Sequence, residues 1–134
     1  MHCIGRYSPP SATGPFIRKH ILPDAYTPSL WEVFTATDRT GLWVADMEVP
    51  RLHYYYTIRC RRTRFAVNRS AALALTDERF CRMWEFYLSA VELEFLHGSK
   101  MVFQVLLSPK RDAVPIVRDF MLGQAWQSAA VGAR

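Results

Sequence analysis

The sequence predicts an α/β fold, and three stretches predict it. Met101 to Leu107, MVFQVLL, is almost continuously apolar, as in a strand buried on both faces inside a sheet. Leu42 to Val49 reads as a second strand, stopped by Pro50. Between them, Phe80, Met83, Trp84, Tyr87, Leu88, Val91 and Phe95 recur at helical spacing, a broad stripe for the buried face of a long helix.

The remaining elements follow in chain order. Gly5, Pro9, Pro10 and Gly14 put a loop after a very short first segment. Phe16 to Leu22 forms a short helix, stopped by Pro23. Thr27 caps the next helix with Pro28 at its first position, or Ser29 and Glu32 form a capping box instead. Leu30, Val33, Phe34 and Thr37 share one side of that helix, and Gly41 ends it. A helix over His53 to Val67 carries Arg59, Arg61, Arg62 and Arg64, and a helical turn follows at Ala71 to Leu75. Thr76 is placed to cap the striped helix, with Asp77 and Glu78 where the helix dipole favours negative charge. Val114 to Leu122 adds a last short element.

Composition narrows the class. At 134 residues, half of them hydrophobic and 22% charged, the chain suits one globular unit with a modest core. No apolar run approaches the ~18 residues that span a bilayer. The N-terminus lacks the apolar region of a signal peptide. A cytoplasmic chain is expected, with its three cysteines reduced. The net charge of +5 favours anionic surfaces without choosing between phospholipid and nucleic acid. Nucleic-acid binding rests on that charge alone and has no motif.

Two stretches carry a family resemblance. Thr76 to Pro115, TDERFCRMWEFYLSAVELEFLHGSKMVFQVLLSPKRDAVP, resembles the C-terminal end of the cyclopropane-fatty-acyl-phospholipid synthases. His2-Cys3-Ile4-Gly5-Arg6 is similar to that family's His-x-Ile-Gly-Arg, and Ser11 to Lys19 to its Gly-Ala-Thr-x-Pro-Phe-Ile-Arg-Lys segment. The resemblance runs from His2 to Leu122, so residues 1–122 are expected to be the C-terminal segment of a methyltransferase catalytic domain. Residues 123–134 are expected to form an unmatched, frayed tail.

The resemblance implies the C-terminal part of a Rossmann-like class I methyltransferase fold. Met1 to Ile4 would end its fifth strand, Leu42 to Val49 would be the sixth, and Met101 to Leu107 the seventh, inserted antiparallel between them. Strands one to four, and with them the N-terminal half, are expected to be missing. The edge of Met101 to Leu107 would then be uncovered, open to a separately encoded half or to self-association.

The resemblance also implies chemistry. In the family a methyl group passes from S-adenosylmethionine to a cis double bond of an unsaturated phospholipid acyl chain, and a bound bicarbonate takes a proton. His2, the backbone of Ile4, and Tyr54 in LHYYYTIR carry over as bicarbonate-site residues; an offset of one would make Tyr55 the match. The family's Cys and Glu partners have no counterpart, and Cys3 does not replace that Cys. The glycines, at 5, 14, 41, 98, 123 and 132, do not cluster, so no residue is assigned to cofactor binding and none to a metal. The chain departs from the family at Asp24-Ala25, where Gly-Gly is usual, at Pro50, and at Arg61, where Trp is usual.

Three roles follow. The chain is half of a split methyltransferase, a catalytically inert truncated remnant, or a basic module that attaches peripherally to anionic membranes.

Overall fold

The computed structural model describes residues 1–122. The tail expected over residues 123–134 lies outside the described residues. The elements in chain order are β1 (His2–Arg6), α1 (Pro15–His20), α2 (Leu30–Asp38), β2 (Trp43–Glu48), α3 (His53–Val67), α4 (Arg69–Leu75), α5 (Glu78–His97) and β3 (Lys100–Ser108), with a closing 3-10 turn at Arg118–Leu122.

Local chemistry explains the boundaries. Glu32 decides where α2 starts: its carboxylate accepts the Ser29 N–H (2.7 Å) and the Ser29 hydroxyl (2.8 Å). Ser29, rather than Thr27, therefore caps α2. Before α5, Asp77 rather than Thr76 is the cap, because its carboxylate accepts the Phe80 N–H at 2.7 Å. Thr76 instead closes α4, its hydroxyl donating to the Ala72 carbonyl. Gly41 sits at φ +71°, a left-handed conformation natural to glycine, in the turn after α2.

The sheet has the order β1-β3-β2, with β3 antiparallel to both neighbours. β3 is thus the central strand, and Val102, Phe103 and Val105 are buried along it. The apolar run foresaw this, since a strand paired on both sides can face the core on both sides. A register shift between Val44 and Asp46 marks a bulge in β2.

One expectation is corrected. The edge of Met101 to Leu107 is covered for most of its length: β1 pairs with β3 from Lys100 to Gln104, and Met1 and Val105 exchange backbone hydrogen bonds beyond that, so on this side only Leu106 to Ser108 lack a strand partner among the described residues. Among the described residues, the open strand edge on this side of the sheet is that of β1. In an antiparallel ladder, residues alternate between bonding across the pair and pointing away from it. Met1 bonds to Val105, and the Arg6 N–H turns away to the Pro28 carbonyl at 3.0 Å. The N–H and C=O groups of His2 and Ile4 therefore face away from β3.

Helices supply the rest of the core. α3 and α5 pack side by side, and α5 touches β3. Cys81, Leu88, Glu92 and Phe95 are the buried line of α5, and Ile58 is its buried counterpart on α3. Arg62 of α3 meets Glu92 at 2.5 Å, so the one carboxylate in that line is paired, as burial demands. Phe80, at the start of the predicted stripe, is 37% exposed, so the stripe buries more fully towards the C-terminal end of α5.

Candidate active site at the start of beta1 and the end of beta2

β1 and β2 run in the same direction, because both are antiparallel to β3. Gln104 pairs with His2 on one side and with Glu48 on the other. His2 is therefore level with the last residue of β2, about 10 Å across two strand spacings. α3 starts five residues later, at His53, and Tyr54 lies in its first turn. The chain thus leads directly from the strand end level with His2 to the helix that carries Tyr54. At this level β2 presents its carboxyl end, where ligands gather in open α/β sheets, while β1 presents its start.

His2 and Ile4 lie two residues apart on β1, on one face of the strand, with their backbone groups at its open edge. His2 is exposed and Ile4 is 38% exposed. A cavity of about 430 Å³ opens beside His2, with Gln104, Glu48, Phe120 and Met121 among its walls. Tyr54 is not one of that cavity's walls. The structure thus brings His2 and Ile4 together, while Tyr54 sits in a separate side-chain environment.

Tyr54 is half-buried. Its ring lies 4.7 Å from that of Phe95 on α5, and the Arg61 guanidinium sits over it at 6.0 Å from the centroid. Tyr55 and Tyr56 pack on each other at 4.9 Å, and the Tyr55 hydroxyl accepts from Arg59. Of the three tyrosines, Tyr54 is the one seen against α5, as its place one turn before the buried Ile58 requires. Tyr87 belongs to the same group, with its ring 5.0 Å from Trp84. Burial raises the Tyr87 phenol above its usual value, Tyr54 adds to the rise, and Arg61 opposes it.

Sequence reasoning missed Gln104 and Glu48 as flanks of His2, and Tyr87 as a neighbour of Tyr54. A signal for Gln104 was present, since it is the one polar residue inside MVFQVLL. Tyr87 stands in the helical stripe, but nothing in the sequence set it beside Tyr54, and no signal marked Glu48; both placements arise from helix pairing and strand register.

Among the described residues, no group of three His, Cys, Asp or Glu side chains is disposed to hold a metal ion. The described glycines do not form a cofactor cradle either. A Cβ at Gly5 would strike the Phe103 ring, Gly98 lies against Glu94, and Gly14 and Gly41 stand alone.

Comparison with known proteins agrees with this architecture. The chain matches the mycolic acid cyclopropane synthetase family over residues 1–105. It is 38% identical over 94 residues to the tuberculostearic acid methyltransferase UfaA1 of Mycobacterium tuberculosis, a stretch covering 69% of this chain and 22% of that protein. It resembles the cyclopropane synthase MmaA2 of Mycobacterium tuberculosis with a TM-score of 0.72 at 21% identity, covering 79% of this chain and 42% of that one. Mycolic acid cyclopropane synthase CmaA1, complexed with SAH and CTAB, gives 0.71 at 22% identity, again covering 79% of this chain and 42% of that one. The chain therefore spans less than half the length of these proteins. Its fold is the C-terminal part of their methyltransferase fold, and a sequence match over most of its length shows that the chain belongs to the mycolic acid cyclopropane synthetase family.

Proposed function

We propose that this chain forms the C-terminal part of an S-adenosylmethionine-dependent enzyme that modifies unsaturated lipid acyl chains, with phospholipid as the substrate class. The family match over residues 1–105 carries the reading. The antiparallel insertion of β3 between β1 and β2, and the levelling of His2 with the end of β2, support it.

Within this reading, His2, the Ile4 backbone and Tyr54 hold a small anion. His2 and Ile4 suit that task from β1, and the reading requires the Tyr54 hydroxyl, which lies outside the His2 cavity, to reach the same anion. The Ile4 N–H points away from β3 at an open edge, the His2 imidazole lies on the same strand, and the Tyr54 hydroxyl offers a further donor from α3. These residues would hold a bicarbonate, which would supply a base for a proton beside a carbocation. Phe95 and Arg61 fix the Tyr54 ring from neighbouring helical positions.

The cofactor is a different case. The described glycines do not fit the glycine-rich cradle that this class of enzyme uses, so the chain's own residues carry no step through S-adenosylmethionine. A complementary half, with its strands added beside β1, would provide that cradle. Residues 1–122 are then one segment of a larger catalytic domain.

The test is reconstitution. The chain is co-expressed with the N-terminal half of a family member and assayed for methyl transfer to vesicles of unsaturated phospholipid. Turnover is expected only from the pair. His2→Ala and Tyr54→Phe should each lower it by about tenfold or more, the usual scale for a lost donor at a preorganised anion. Tyr55→Phe should leave it nearly unchanged. Equal losses from Tyr54→Phe and Tyr55→Phe would refute the site assignment. S-adenosylmethionine binding by the chain alone would refute the division of labour.

A further inference from the structure

From Val49 to Thr76 the chain carries Arg51, Arg59, Arg61, Arg62, Arg64 and Arg69 and no acidic residue. Among the described residues, carboxylates neutralise only two of these arginines. Arg62 pairs with Glu92, and Arg69 pairs with Glu78 and Glu85, all on α5. Arg59 and Arg64 are exposed and bond to uncharged groups, the Tyr55 hydroxyl and the Cys60 carbonyl.

Arg59 and Arg64 flank an open depression of about 670 Å³ on the outer side of α3, whose other walls are Tyr56, Cys60 and Thr63. Helical spacing continues this row from Thr63 to Val67. Tyr56 is 54% exposed and Val67 is 80% exposed. The face thus combines two arginines without acidic partners, an amphipathic aromatic ring and a bare aliphatic side chain.

We propose that this face docks on a bilayer containing anionic phospholipid, with Arg59 and Arg64 on head-group phosphates. Charge complementarity selects an anionic partner. The uncharged floor and the apolar ends select a lipid surface over a nucleic acid. Val67 offers an exposed aliphatic surface that suits acyl chains and gives no face for a base to stack on. Tyrosine suits the head-group level, where its ring meets the acyl boundary and its hydroxyl meets water. Each arginine near an anionic surface adds attraction that falls off within a Debye length, so salt should weaken the docking. The inference does not depend on methyl transfer, because the face lies outside the residues assigned to the anion site.

The experiment is co-sedimentation of the 134-residue chain with large vesicles of phosphatidylglycerol and phosphatidylcholine, beside pure phosphatidylcholine vesicles and a vesicle-free control. Binding is expected to the mixed vesicles alone and to weaken in high salt. The double variant Arg59→Glu/Arg64→Glu should lose about tenfold or more in affinity, while Arg18→Glu/Lys19→Glu on α1 should lose about twofold at most. Circular dichroism confirms that each variant is folded. A second measurement places a solvatochromic label on Cys60 in a Cys3→Ser background; its emission should shift to the blue on mixed vesicles only. Equal losses from the α3 and α1 variants, equal binding to neutral vesicles, or an unshifted label would each overturn the proposal. So would polyuridylate displacing the vesicles through the same two arginines. None of these outcomes touches the reconstituted turnover that tests the proposed function.

Discussion

Gly5 shows how a legible motif can hide its own reason. The run HCIGR is plain in the sequence, but why the fourth position is glycine is not. Across the pair, on the same face of the sheet, the Phe103 ring lies where a Cβ at Gly5 would go, and the Pro28 carbonyl oxygen closes the space at 3.0 Å. A glycine in a strand marks such a close approach. Gly5→Ala should therefore destabilise the chain by ~1–3 kcal/mol, the usual cost of overpacking. Gly14→Ala, with nothing within 4 Å of the added methyl, should stay within about 0.5 kcal/mol. Urea unfolding of the two variants is the measurement, and equal midpoints would contradict the close-packing account. Tyr54 is the reverse case. The run YYY left its identity open by one residue, and only helix pairing separates the ring against Phe95 from the two that pack on each other.

Among the elements, β3 and α5 were the most readable, because burial on two faces and a long helical stripe both leave a periodic trace. α3 matched its expected span as well. The caps were harder. Thr27, Ser29, Thr76 and Asp77 all have side chains that can cap, and the choice depends on which backbone groups lie in reach. At α2 the choice falls on Ser29 because Glu32 reaches back to it. The Tyr26 hydroxyl also donates to Glu32, at 2.6 Å. This hydrogen bond and those from Ser29 lower the Glu32 carboxyl below its usual value. A carboxylate depressed by folding stabilises the native state above its unfolded pKa, about 4.3, and loses that contribution as pH falls through the folded value. Thermal unfolding should thus show Glu32→Gln less stable than the parent at neutral pH, with the gap closing as the pH falls below about 4. A gap that persists unchanged into acid would mean that the charge on Glu32 has no part in holding the start of α2.

At the scale of the whole molecule, the sequence carried the family, the strand order and the insertion of β3, but it misplaced the weak edge. The resemblance implied that the seventh strand would lose a neighbour. Met1 and the five residues from His2 to Arg6 cover that strand from Lys100 to Val105, one residue against one, and leave only Leu106 to Ser108 unpaired on that side among the described residues. What remains open among the described residues is the far side of β1 at His2 and Ile4, two of the three residues assigned to the anion site. Completion by a second half and self-association would therefore compete for one edge. Ile4→Pro separates this edge from the interior of the sheet. The Ile4 N–H faces away from β3, so proline there removes an outward donor and leaves the β1–β3 ladder intact, as proline on edge strands does. Cys3→Pro would instead remove a donor that faces β3. Sedimentation velocity should show concentration-dependent association of the parent chain, a shift towards monomer for Ile4→Pro with its circular dichroism preserved, and loss of folded structure for Cys3→Pro. Reconstituted turnover should also fall for Ile4→Pro, since the proposed anion site loses its Ile4 N–H. If Ile4→Pro associates as the parent does, the edge of β1 is not where this chain meets its partners, and the outer edge of β2 becomes the surface to test.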